Sequence, residues 1–304
     1  MPRPPLTACA TPPDPASVAI STIGGNIATN AGGLRCAKYG VTRDSILALD
    51  VVLADSTLIH TGARTVKHMA GYDLTSLFVG SEGSLGIIVG ATVRLRPLPA
   101  ATATLTARFA SIEAAGRAVQ AISAAGVLPS VAELLDGPTL AAIDHAAIAA
   151  APESLWSDSA GALLLLQTDG VGASGEADTI EAILAETATD VARADDPATA
   201  ARLIATRRAA LPALERLGRV LIEDIAVPRG ALVEAFAGVA AIAEATGVRI
   251  FTLAHAFDGN LHPIIVTIRP HPASQPTPGT PASRSSGSPC ASAAPSPANT
   301  ASAS

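Results

Sequence analysis

Two glycine-dense segments in the first third of the chain have the residue types of a ligand-binding loop. The first segment, residues 22–33, has the sequence TIGGNIATNAGG, and the second, residues 80–87, has the sequence GSEGSLGI. Because glycine has no Cβ, the backbone of such segments can approach a ligand closely. Successive backbone amides also form concave sites for a phosphate or for the polar edge of a flavin. Taken alone, a Gly–Gly pair is more typical of a turn between strands.

Taken together, residues 21–97 resemble the FAD-binding segment of FAD-linked oxidases of the glycolate oxidase and D-lactate dehydrogenase type, within the vanillyl-alcohol-oxidase-like flavoproteins. The resemblance implies that both glycine segments hold FAD, with a hydrogen bond from Ser84 and backbone amides at Ile87. The implied cofactor-binding residues are Gly24, Gly25, Asn26, Thr29, Asn30, Gly32, Gly33, Gly80, Ser81, Glu82, Gly83, Ser84, Gly86 and Ile87. Tyr72 and Asp73, between the two segments, either contribute to the cofactor site or have structural roles. In the structural alternative, Tyr72 is a buried aromatic side chain and Asp73 is a helix N-cap.

A second motif, HAFDGNLHP at residues 255–263, resembles the family sequence HAGDGNLHP, with Phe257 in place of a glycine. The resemblance implies that His255 and His262 are catalytic and bind a divalent metal, Zn²⁺ or a similar ion, beside the substrate hydroxyl. Neutral imidazoles are good zinc ligands, and a bound metal acidifies a hydroxyl group. A histidine pair without such a motif is more often structural. A phenylalanine is also expected to strain the backbone if the family glycine has a positive φ.

Arg207 lies in the segment LIATRRAALP, which resembles a family W-x-x-R sequence with Ile204 in place of tryptophan. The resemblance implies that Arg207 is catalytic and holds the substrate carboxylate, a role that suits the planar guanidinium. The alternative is a solvated helix face that carries Arg207 and Arg208. In EDIAVP, residues 223–228, Glu223 and Asp224 are adjacent on a predicted strand and point to opposite faces, so at most one of them faces a site.

The hydrophobic pattern predicts the elements that position these residues. Strands are predicted over 46–55, 86–97, 103–109, 130–136, 162–168 and 220–227, with two more flanking 255–263. Helices are predicted over 112–126, 139–150, 176–188, 198–215 and 230–247. This order predicts an α+β fold with an antiparallel sheet covered by helices. The resemblance adds that a partial FAD-binding domain of the PCMH type precedes this cap domain.

Domain boundaries follow from changes in composition. We expect residues 1–99 to form the C-terminal part of the FAD-binding domain and residues 100–268 an incomplete FAD-linked oxidase C-terminal domain. Residues 269–304 are rich in Pro, Ala and Ser, which predicts a disordered tail. Family members carry an early R-G-x-G-T-S loop and a late G-E-H-G segment, which supplies a third metal ligand and a base. This sequence has no glycine before Gly24 and no acidic residue after Asp258, so we expect a chain truncated at both ends.

The composition excludes several classes of protein. Hydrophobic residues make up 49% of the 304 residues and the net charge is −6, which argues against a nucleic-acid-binding surface. Cys9, Cys36 and Cys290 are far apart, which argues against a disulfide framework or a zinc knuckle and favours a reducing, cytoplasmic location. The first residues lack the apolar region of a secretory signal, and no apolar run is long enough to span a bilayer.

These observations predict an enzyme that oxidises a small D-2-hydroxy acid, such as glycolate or D-lactate, with FAD as the hydride acceptor. A partner subunit, or a second polypeptide, is expected to complete the FAD site. Two alternatives stay open at this point. One is a non-catalytic remnant of such an enzyme, and the other is a small-molecule-binding α+β module without turnover.

Overall fold

Antiparallel strands and covering helices build the part of the chain that the computed structural model describes, residues 9–10, 14–15, 17–65, 67–148, 161–194 and 196–267. The strands are β1 (Cys9–Ala10), β2 (Ile46–Val52), β3 (Leu58–Gly62), β4 (Ile87–Val93), β5 (Arg96–Pro97), β6 (Thr102–Phe109), β7 (Val131–Asp136), β8 (Ala162–Asp169), β9 (Asp190–Arg193), β10 (Arg219–Ile222), β11 (Ile225–Ala226), β12 (Arg249–His255) and β13 (Asn260–Thr267). The helices are α1 (Ile23–Thr29), α2 (Cys36–Tyr39), α3 (Thr42–Ser45), α4 (Leu74–Phe78), α5 (Ile112–Ala124), α6 (Gly137–Ile148), α7 (Ala173–Leu184), α8 (Pro197–Arg208), α9 (Ala210–Leu217) and α10 (Leu232–Thr246). The predicted tail, 269–304, lies outside the described residues.

The N-terminal region contains a three-stranded antiparallel sheet in the order β3-β2-β4. Its buried side chains come from this sheet and from the two helices α1 and α4. They are Ile27, Ile46, Leu49, Val51, Phe78 and Val79. Because α1 and the loop after α4 carry the two glycine segments, this small core is what brings the segments together.

The C-terminal region is built on a larger antiparallel sheet with the strand order β10-β13-β12-β7-β8-β6-β9, in which β11 also pairs with β13. Strand β8, ALLLLQTD, is buried along its whole length because it lies between β7 and β6 and has helices over both faces. Helices α5, α7 and α10 cover one face, and α6, α8 and α9 cover the other. The α+β fold predicted from the sequence is confirmed.

Several predicted elements differ from the observed ones. The predicted helix over 198–215 is two helices that meet at Ala209, because Pro212 has no N–H group to continue a single helix. The predicted strand over 220–227 is interrupted, and β10 and β11 pair with separate parts of β13. Strand β9 was not predicted, since a four-residue run such as DVAR has too few residues for a period to show.

Among the residues that the structure describes, no helix combines the length and the apolar character needed to cross a lipid bilayer.

Candidate functional site

The two glycine segments lie side by side in the structure. The backbone N–H of Gly80 donates to the carbonyl oxygen of Ile27 at 2.9 Å, and the N–H of Glu82 donates to that of Ala28 at 3.0 Å. Asn30, in a left-handed conformation at the end of α1, lies against Gly80. A Cβ added at Gly80 would be 3.1 Å from the Asn30 Cβ. Segments that are distant in sequence therefore form one continuous surface.

Part of the first segment is a helix, which corrects the predicted loop. Thr22 caps α1 by accepting a hydrogen bond from the backbone N–H of Gly25 at 3.0 Å. Asn30 ends the helix with φ 51° and ψ 47°, and this left-handed turn lets the N–H of Ala31 donate to the carbonyl oxygen of Asn26 at 2.9 Å. These two caps, together with burial of Ile27, offset the low helix propensity of the glycines.

The glycines of the two segments occupy their positions for different structural reasons. A Cβ at Gly24 or Gly83 would meet no other heavy atom within 4 Å, so a ligand has access to the backbone there. A Cβ at Gly33 or Gly86 would clash with backbone atoms of the chain itself, so packing alone requires these glycines. Gly80 and Gly83 also have positive φ values of 83° and 79°, which favour glycine.

The side chains around these glycines fit a polar cofactor such as FAD. Ser81 has a buried hydroxyl oxygen with no hydrogen-bond partner among the described residues. Ser84 donates its own hydroxyl to the backbone oxygen of Ser81 at 2.6 Å, and Ile87 is 67% exposed at the start of β4. A buried hydroxyl without a partner is costly in a folded protein, and a bound polar group would satisfy it.

Tyr72 and Asp73 lie just before α4. Tyr72 is 93% exposed, so the alternative of a buried aromatic side chain is wrong. The predicted N-cap is confirmed, since the Asp73 carboxylate accepts from the backbone N–H of Ser76 at 3.0 Å and from its hydroxyl at 2.6 Å. These hydrogen bonds hold the pKa of Asp73 below its usual value, and the one from the Ser76 hydroxyl has the larger effect.

A second group of polar side chains is assembled by the register of the large sheet. Glu133 on β7 and His255 on β12 are direct partners in the antiparallel pairing of these strands. His262 on β13 is the partner of Leu253, two residues before His255, so the two histidines share one face of the sheet. The pairing therefore places a carboxylate and two imidazoles on three neighbouring strands.

These side chains are in contact. The Glu133 Oε1 atom lies 2.6 Å from His255 Nδ1, and the Nε2 atoms of His255 and His262 are 3.4 Å apart. The two rings meet edge to face, with centroids 5.2 Å apart. Asp224 Oδ1 is 3.6 Å from His262 Nδ1, whereas no such contact is seen for the neighbouring Glu223 side chain within the described residues.

Arg207 belongs to this group and Arg208 does not. Arg207 contacts Glu133 Oε2 through Nε at 2.7 Å and through Nη2 at 2.5 Å, and its side chain is 12% exposed. Arg208 is 39% exposed and pairs with Asp14. The alternative of a solvated helix face therefore holds for Arg208 and is wrong for Arg207.

The charges in this group depend on one another. Burial opposes the ionisation of Glu133, but Arg207 and His255 outweigh burial and hold the pKa of Glu133 below its usual value. For His255, burial acts to lower the pKa, yet the Glu133 carboxylate outweighs it and raises the pKa. Burial, and then the nearby His255, lower the pKa of His262. The group thus contains one carboxylate stabilised in its charged form beside two imidazoles of different basicity.

The histidine pair has the spacing of two ligands on one metal ion. Two nitrogens bound tetrahedrally to Zn²⁺, at 2.0–2.1 Å each, are about 3.3 Å apart, and the observed Nε2–Nε2 distance is 3.4 Å. The carboxylate on His255 Nδ1 matches the partner that metal-bound histidines usually have. In the described part of the chain, no group of three or more His, Cys, Asp or Glu side chains has the arrangement of a metal site. Within the described residues, the histidine group therefore offers two imidazole nitrogens at this spacing and no third ligand of those types.

Helix α2 connects the glycine surface to the histidine group. Lys38 and Tyr39 both contact the Asp169 carboxylate, at 2.7 Å each, and Arg35 donates to Gln167 at 3.0 Å. Gln167 pairs across the sheet with Val131, near Glu133. Burial, and then the hydrogen bond to Asp169, raise the pKa of Tyr39 to about 12. The segment that follows the first glycine run is therefore tied to the end of the sheet that carries Glu133.

Cys36, on the same helix, lies close to both groups. Its sulfur accepts a hydrogen bond from the backbone N–H of Gly33 at 2.9 Å. Burial raises the pKa of the Cys36 thiol, and the negative charges of Asp258 and Glu133 add to this effect. The second glycine pair and the histidine motif are thus near enough to act on one side chain.

Phe257 does not strain its turn. Its φ is not positive, because Asn30, Ser56 and Glu82 are the non-glycine residues with positive φ in the described part of the chain. The Phe257 side chain is buried in the core between the sheet and helices α5, α7 and α10. The substitution of this family glycine is accommodated by the core.

The sequence analysis missed Glu133 as a site residue. Its signal was a carboxylate between the apolar residues of the run VAELLD, which needs a charged partner when that run is buried. Asn260 was named within its motif without a role, and its buried Oδ1 atom has no partner among the described residues. Only the strand pairing, which the sequence does not reveal, places these residues beside His255 and His262.

Comparison with known families gives two matches. The model of the C-terminal domain of FAD linked oxidases matches residues 98–276, and that of an FAD binding domain matches residues 7–62. Together the two matches extend over both regions of the fold.

Among curated proteins, the chain is 46% identical over 260 residues to the glycolate oxidase subunit GlcD of Bacillus subtilis (strain 168), covering 84% of this chain and 54% of that protein. It is 37% identical over 258 residues to GlcD of Escherichia coli (strain K12), covering 84% and 50%. It is 34% identical over 257 residues to a D-lactate dehydrogenase of Anaerostipes hadrus, covering 83% and 54%. The chain spans about half the length of the curated relatives it matches.

Solved structures show the same fold at low sequence identity. An alkyldihydroxyacetonephosphate synthase superposes with a TM-score of 0.64 at 19% identity, covering 86% of this chain and 54% of that one. A p-cresol methylhydroxylase with substrate bound superposes with a TM-score of 0.64 at 13% identity, covering 84% and 57%. At this identity the similarity concerns the fold alone.

Proposed function

Because this chain belongs to the FAD-linked oxidase family, we propose that it oxidises a small D-2-hydroxy acid, of the glycolate or D-lactate type, to the 2-oxo acid by hydride transfer to FAD. The observation that carries this proposal is the contact of α2 with the large sheet, which ties the glycine surface to the end that holds Arg207, His255 and His262. Curated relatives named glycolate oxidase subunit and D-lactate dehydrogenase support the substrate class.

The glycine surface is proposed to hold the cofactor. Gly24 and Gly83 offer close backbone approach, Ser81 offers a buried hydroxyl, and the remaining glycines shape the surface. Asn26, Thr29, Asn30, Gly25, Gly32, Glu82, Ser84 and Ile87 complete the proposed set. FAD bound there supplies the hydride acceptor, and the chain supplies position and electrostatics.

Arg207 is proposed to bind the substrate carboxylate. A guanidinium has five N–H donors, and the contacts to Glu133 use the Nε and Nη2 atoms. Its low exposure removes competing water, which strengthens a charged hydrogen bond. Arg207 therefore fixes the acid group at one end of the substrate.

His255 and His262 are proposed to bind the hydroxyl end of the substrate, together with a divalent metal such as Zn²⁺. Their Nε2 atoms lie 3.4 Å apart, which is the spacing of two metal ligands. A metal at this place would lower the pKa of the substrate hydroxyl. Without a metal, the same two nitrogens can still hold a hydroxyl group, because the lowered pKa of His262 favours its neutral, hydrogen-bond-accepting form.

The proposal also includes a second polypeptide, or partner subunit, that completes the FAD site. It is supported by relatives that are named as oxidase subunits. A cytoplasmic location is proposed from the separated cysteines. The proposed domains are 1–99, 100–268 and 269–304, and the family matches to residues 7–62 and 98–276 support the first two.

Anaerobic reduction of the bound flavin tests the proposal. The full chain is loaded with FAD and mixed without oxygen with D-lactate, L-lactate, glycolate or 3-hydroxybutyrate, while the visible flavin absorbance is followed. The proposal predicts bleaching by D-lactate or glycolate that is lost in Arg207→Met and kept in the control Arg208→Met. Bound flavin that no 2-hydroxy acid reduces would contradict it, and binding of the acid by flavin-free chain without any reduction would support a binding module instead.

A further inference from the structure

Glu133 is the most deeply buried charged residue of the histidine group. It lies on β7, between β8 and β12, and its side chain has 0% exposure. Burying a carboxylate is expensive unless charged partners and hydrogen bonds compensate for the lost water. A charged residue that is kept at this cost calls for a role in what its partners do.

The two oxygens of Glu133 have different partners. Oε1 contacts Nδ1 of His255 at 2.6 Å, and Oε2 contacts Nε and Nη2 of Arg207 at 2.7 Å and 2.5 Å. An ionised carboxylate only accepts hydrogen bonds, so Nδ1 of His255 must carry a hydrogen. The Nε2 atom of His255 is then the one that faces His262, at 3.4 Å.

We propose that Glu133 is a positioning residue, which sets the ring tautomer of His255 and the spacing between His255 and Arg207. Both side chains contact the same carboxylate on a central strand, which ties the position of each to that of Glu133. The consequence for substrate choice rests on the proposed function. If Arg207 holds the carboxylate and His255 the hydroxyl, this fixed spacing selects acids with the hydroxyl on the carbon next to the carboxylate.

Glu133→Gln tests the tautomer directly, because the glutamine side chain has nearly the same shape. Arg207 only donates hydrogen bonds, so the amide oxygen must face Arg207 and the amide NH₂ must face His255. His255 Nδ1 then has to accept, and the ring hydrogen moves to Nε2. An equivalent exchange of carboxylate for amide next to a catalytic histidine is known to impose the wrong tautomer.

The matched control is Asp136→Asn. Asp136 is a second buried carboxylate on β7, but its oxygens accept from the backbone N–H groups of Thr139 and Thr252. Its replacement changes a buried charge on the same strand and leaves the partners of His255 in place. It should therefore leave the His255 tautomer unchanged.

The measurement is the ring ¹⁵N spectrum of the full chain without cofactor, at a pH where the ring is neutral, with His255 assigned from the His255→Gln variant. We expect the Nδ1–H form in the wild type and in Asp136→Asn, and the Nε2–H form in Glu133→Gln. An Nε2–H ring in the wild type, or an unchanged ring in a folded Glu133→Gln chain, would overturn the proposal. The first of these results would overturn the proposal even if Glu133→Gln does not fold.

A second measurement separates this inference from the proposed function. In the FAD-loaded chain, Glu133→Gln should lower kcat/KM for D-lactate by about 10–100-fold, as losses of such supporting partners usually do. The ratio of kcat/KM for D-lactate to that for 3-hydroxybutyrate should also become smaller. An unchanged preference in Glu133→Gln would overturn the substrate-spacing part. If the tautomer changes but wild-type chain reduces no flavin with any acid, the positioning role stands and the proposed function fails.

Discussion

The backbone N–H of Gly80 donates a hydrogen bond of 2.9 Å to the carbonyl oxygen of Ile27. This contact, with the parallel one from Glu82 to Ala28, makes one surface of two sequence motifs. The surface continues through α2 to the large sheet, where Glu133, Arg207 and the two histidines lie. A ligand on the glycine surface and a ligand on the histidine group would therefore be held by one connected structure.

Gly24 provides the most direct test of where the flavin lies. A Cβ at this position would have no heavy atom of the described residues within 4 Å, so Gly24→Leu should change the free energy of unfolding of the cofactor-free chain by no more than about 1 kcal/mol. If FAD approaches the backbone there, the leucine should weaken FAD binding at least tenfold. Fluorescence quenching during an FAD titration measures this change.

The matched control for this test is Gly175→Leu. Gly175 is also a helical glycine whose Cβ would meet nothing within 4 Å, but it lies on α7, in the layer over the large sheet. The Gly175→Leu variant should bind FAD with the affinity of the wild type. Equal FAD affinity in both leucine variants would mean that the flavin does not contact Gly24.

Arg207 and Arg208 should differ sharply in their contribution to stability. Arg207→Met leaves the buried Glu133 carboxylate without its guanidinium, and loss of one partner from a buried ion pair costs about 3–5 kcal/mol. Arg208→Met removes an exposed pair with Asp14, which is worth about 0–1 kcal/mol. Urea unfolding of the two variants measures both values.

A comparable loss of stability in the two methionine variants would contradict the assignment of Arg207 to a buried pair. Glu133→Gln combined with Arg207→Met gives a further check, because the two positions share one interaction. The double variant should lose clearly less stability than the two single losses added together.

The large sheet was predictable because its strands are long and apolar. The predicted strand over 103–109 is observed at Thr102–Phe109, and the predicted strand over 162–168 at Ala162–Asp169. Helix α1 was not predicted, since IGGNIAT has weak helix propensity and its caps act through Thr22 and Asn30. The local sequence thus predicted elements that have a clear hydrophobic pattern. It did not predict α1, whose stability depends on its two caps and on tertiary contacts.

The site was predictable in part, through motifs and not through geometry. His255 and His262 stand out because of the sequence around them, and Arg207 through a weaker match. Glu133 carries no such motif, and it meets His255 only because β7 and β12 pair in one particular register. Strand register between distant segments depends on the whole core, so no local pattern contains it.

The contact between α2 and the large sheet should depend on Lys38. The Asp169 side chain is 3% exposed and accepts from Lys38 and Tyr39. Among the described residues, Lys38→Met leaves this carboxylate with the tyrosine hydroxyl, and it should lower the free energy of unfolding by about 3 kcal/mol. Tyr39→Phe removes one hydrogen bond and should cost about 1 kcal/mol.

Urea unfolding measures both effects, and Lys67→Met is the control, because Lys67 is exposed on a loop. The control should unfold like the wild type. A Lys38→Met chain as stable as the control would show that α2 is not held to the sheet by this ion pair.

Asp136 should make stability depend on pH. Burial raises the pKa of Asp136 from 3.8 to about 6, so the folded chain holds the proton more tightly than the unfolded chain. Its contribution is complete below the unfolded pKa and is lost as pH rises through about 6, by about 3 kcal/mol in all. The difference in unfolding free energy between wild type and Asp136→Asn, measured from pH 4 to pH 7, should show this fall.

For Asp136, the opposite slope, or a difference that is flat across that range, would contradict the raised pKa. The carboxyl ¹³C titration of Asp136 offers an independent check. Its midpoint should lie near pH 6 in the folded chain.

The central claim is that the joined glycine segments bind FAD beside the histidine group. The most direct measurement is a titration of the purified full chain with FAD, followed by visible absorbance and by quenching of flavin fluorescence. We predict saturable binding of one FAD per chain, with the flavin spectrum shifted from that of free FAD. A chain that stays folded but shows no saturable change would contradict the claim that these segments are sufficient to hold the cofactor.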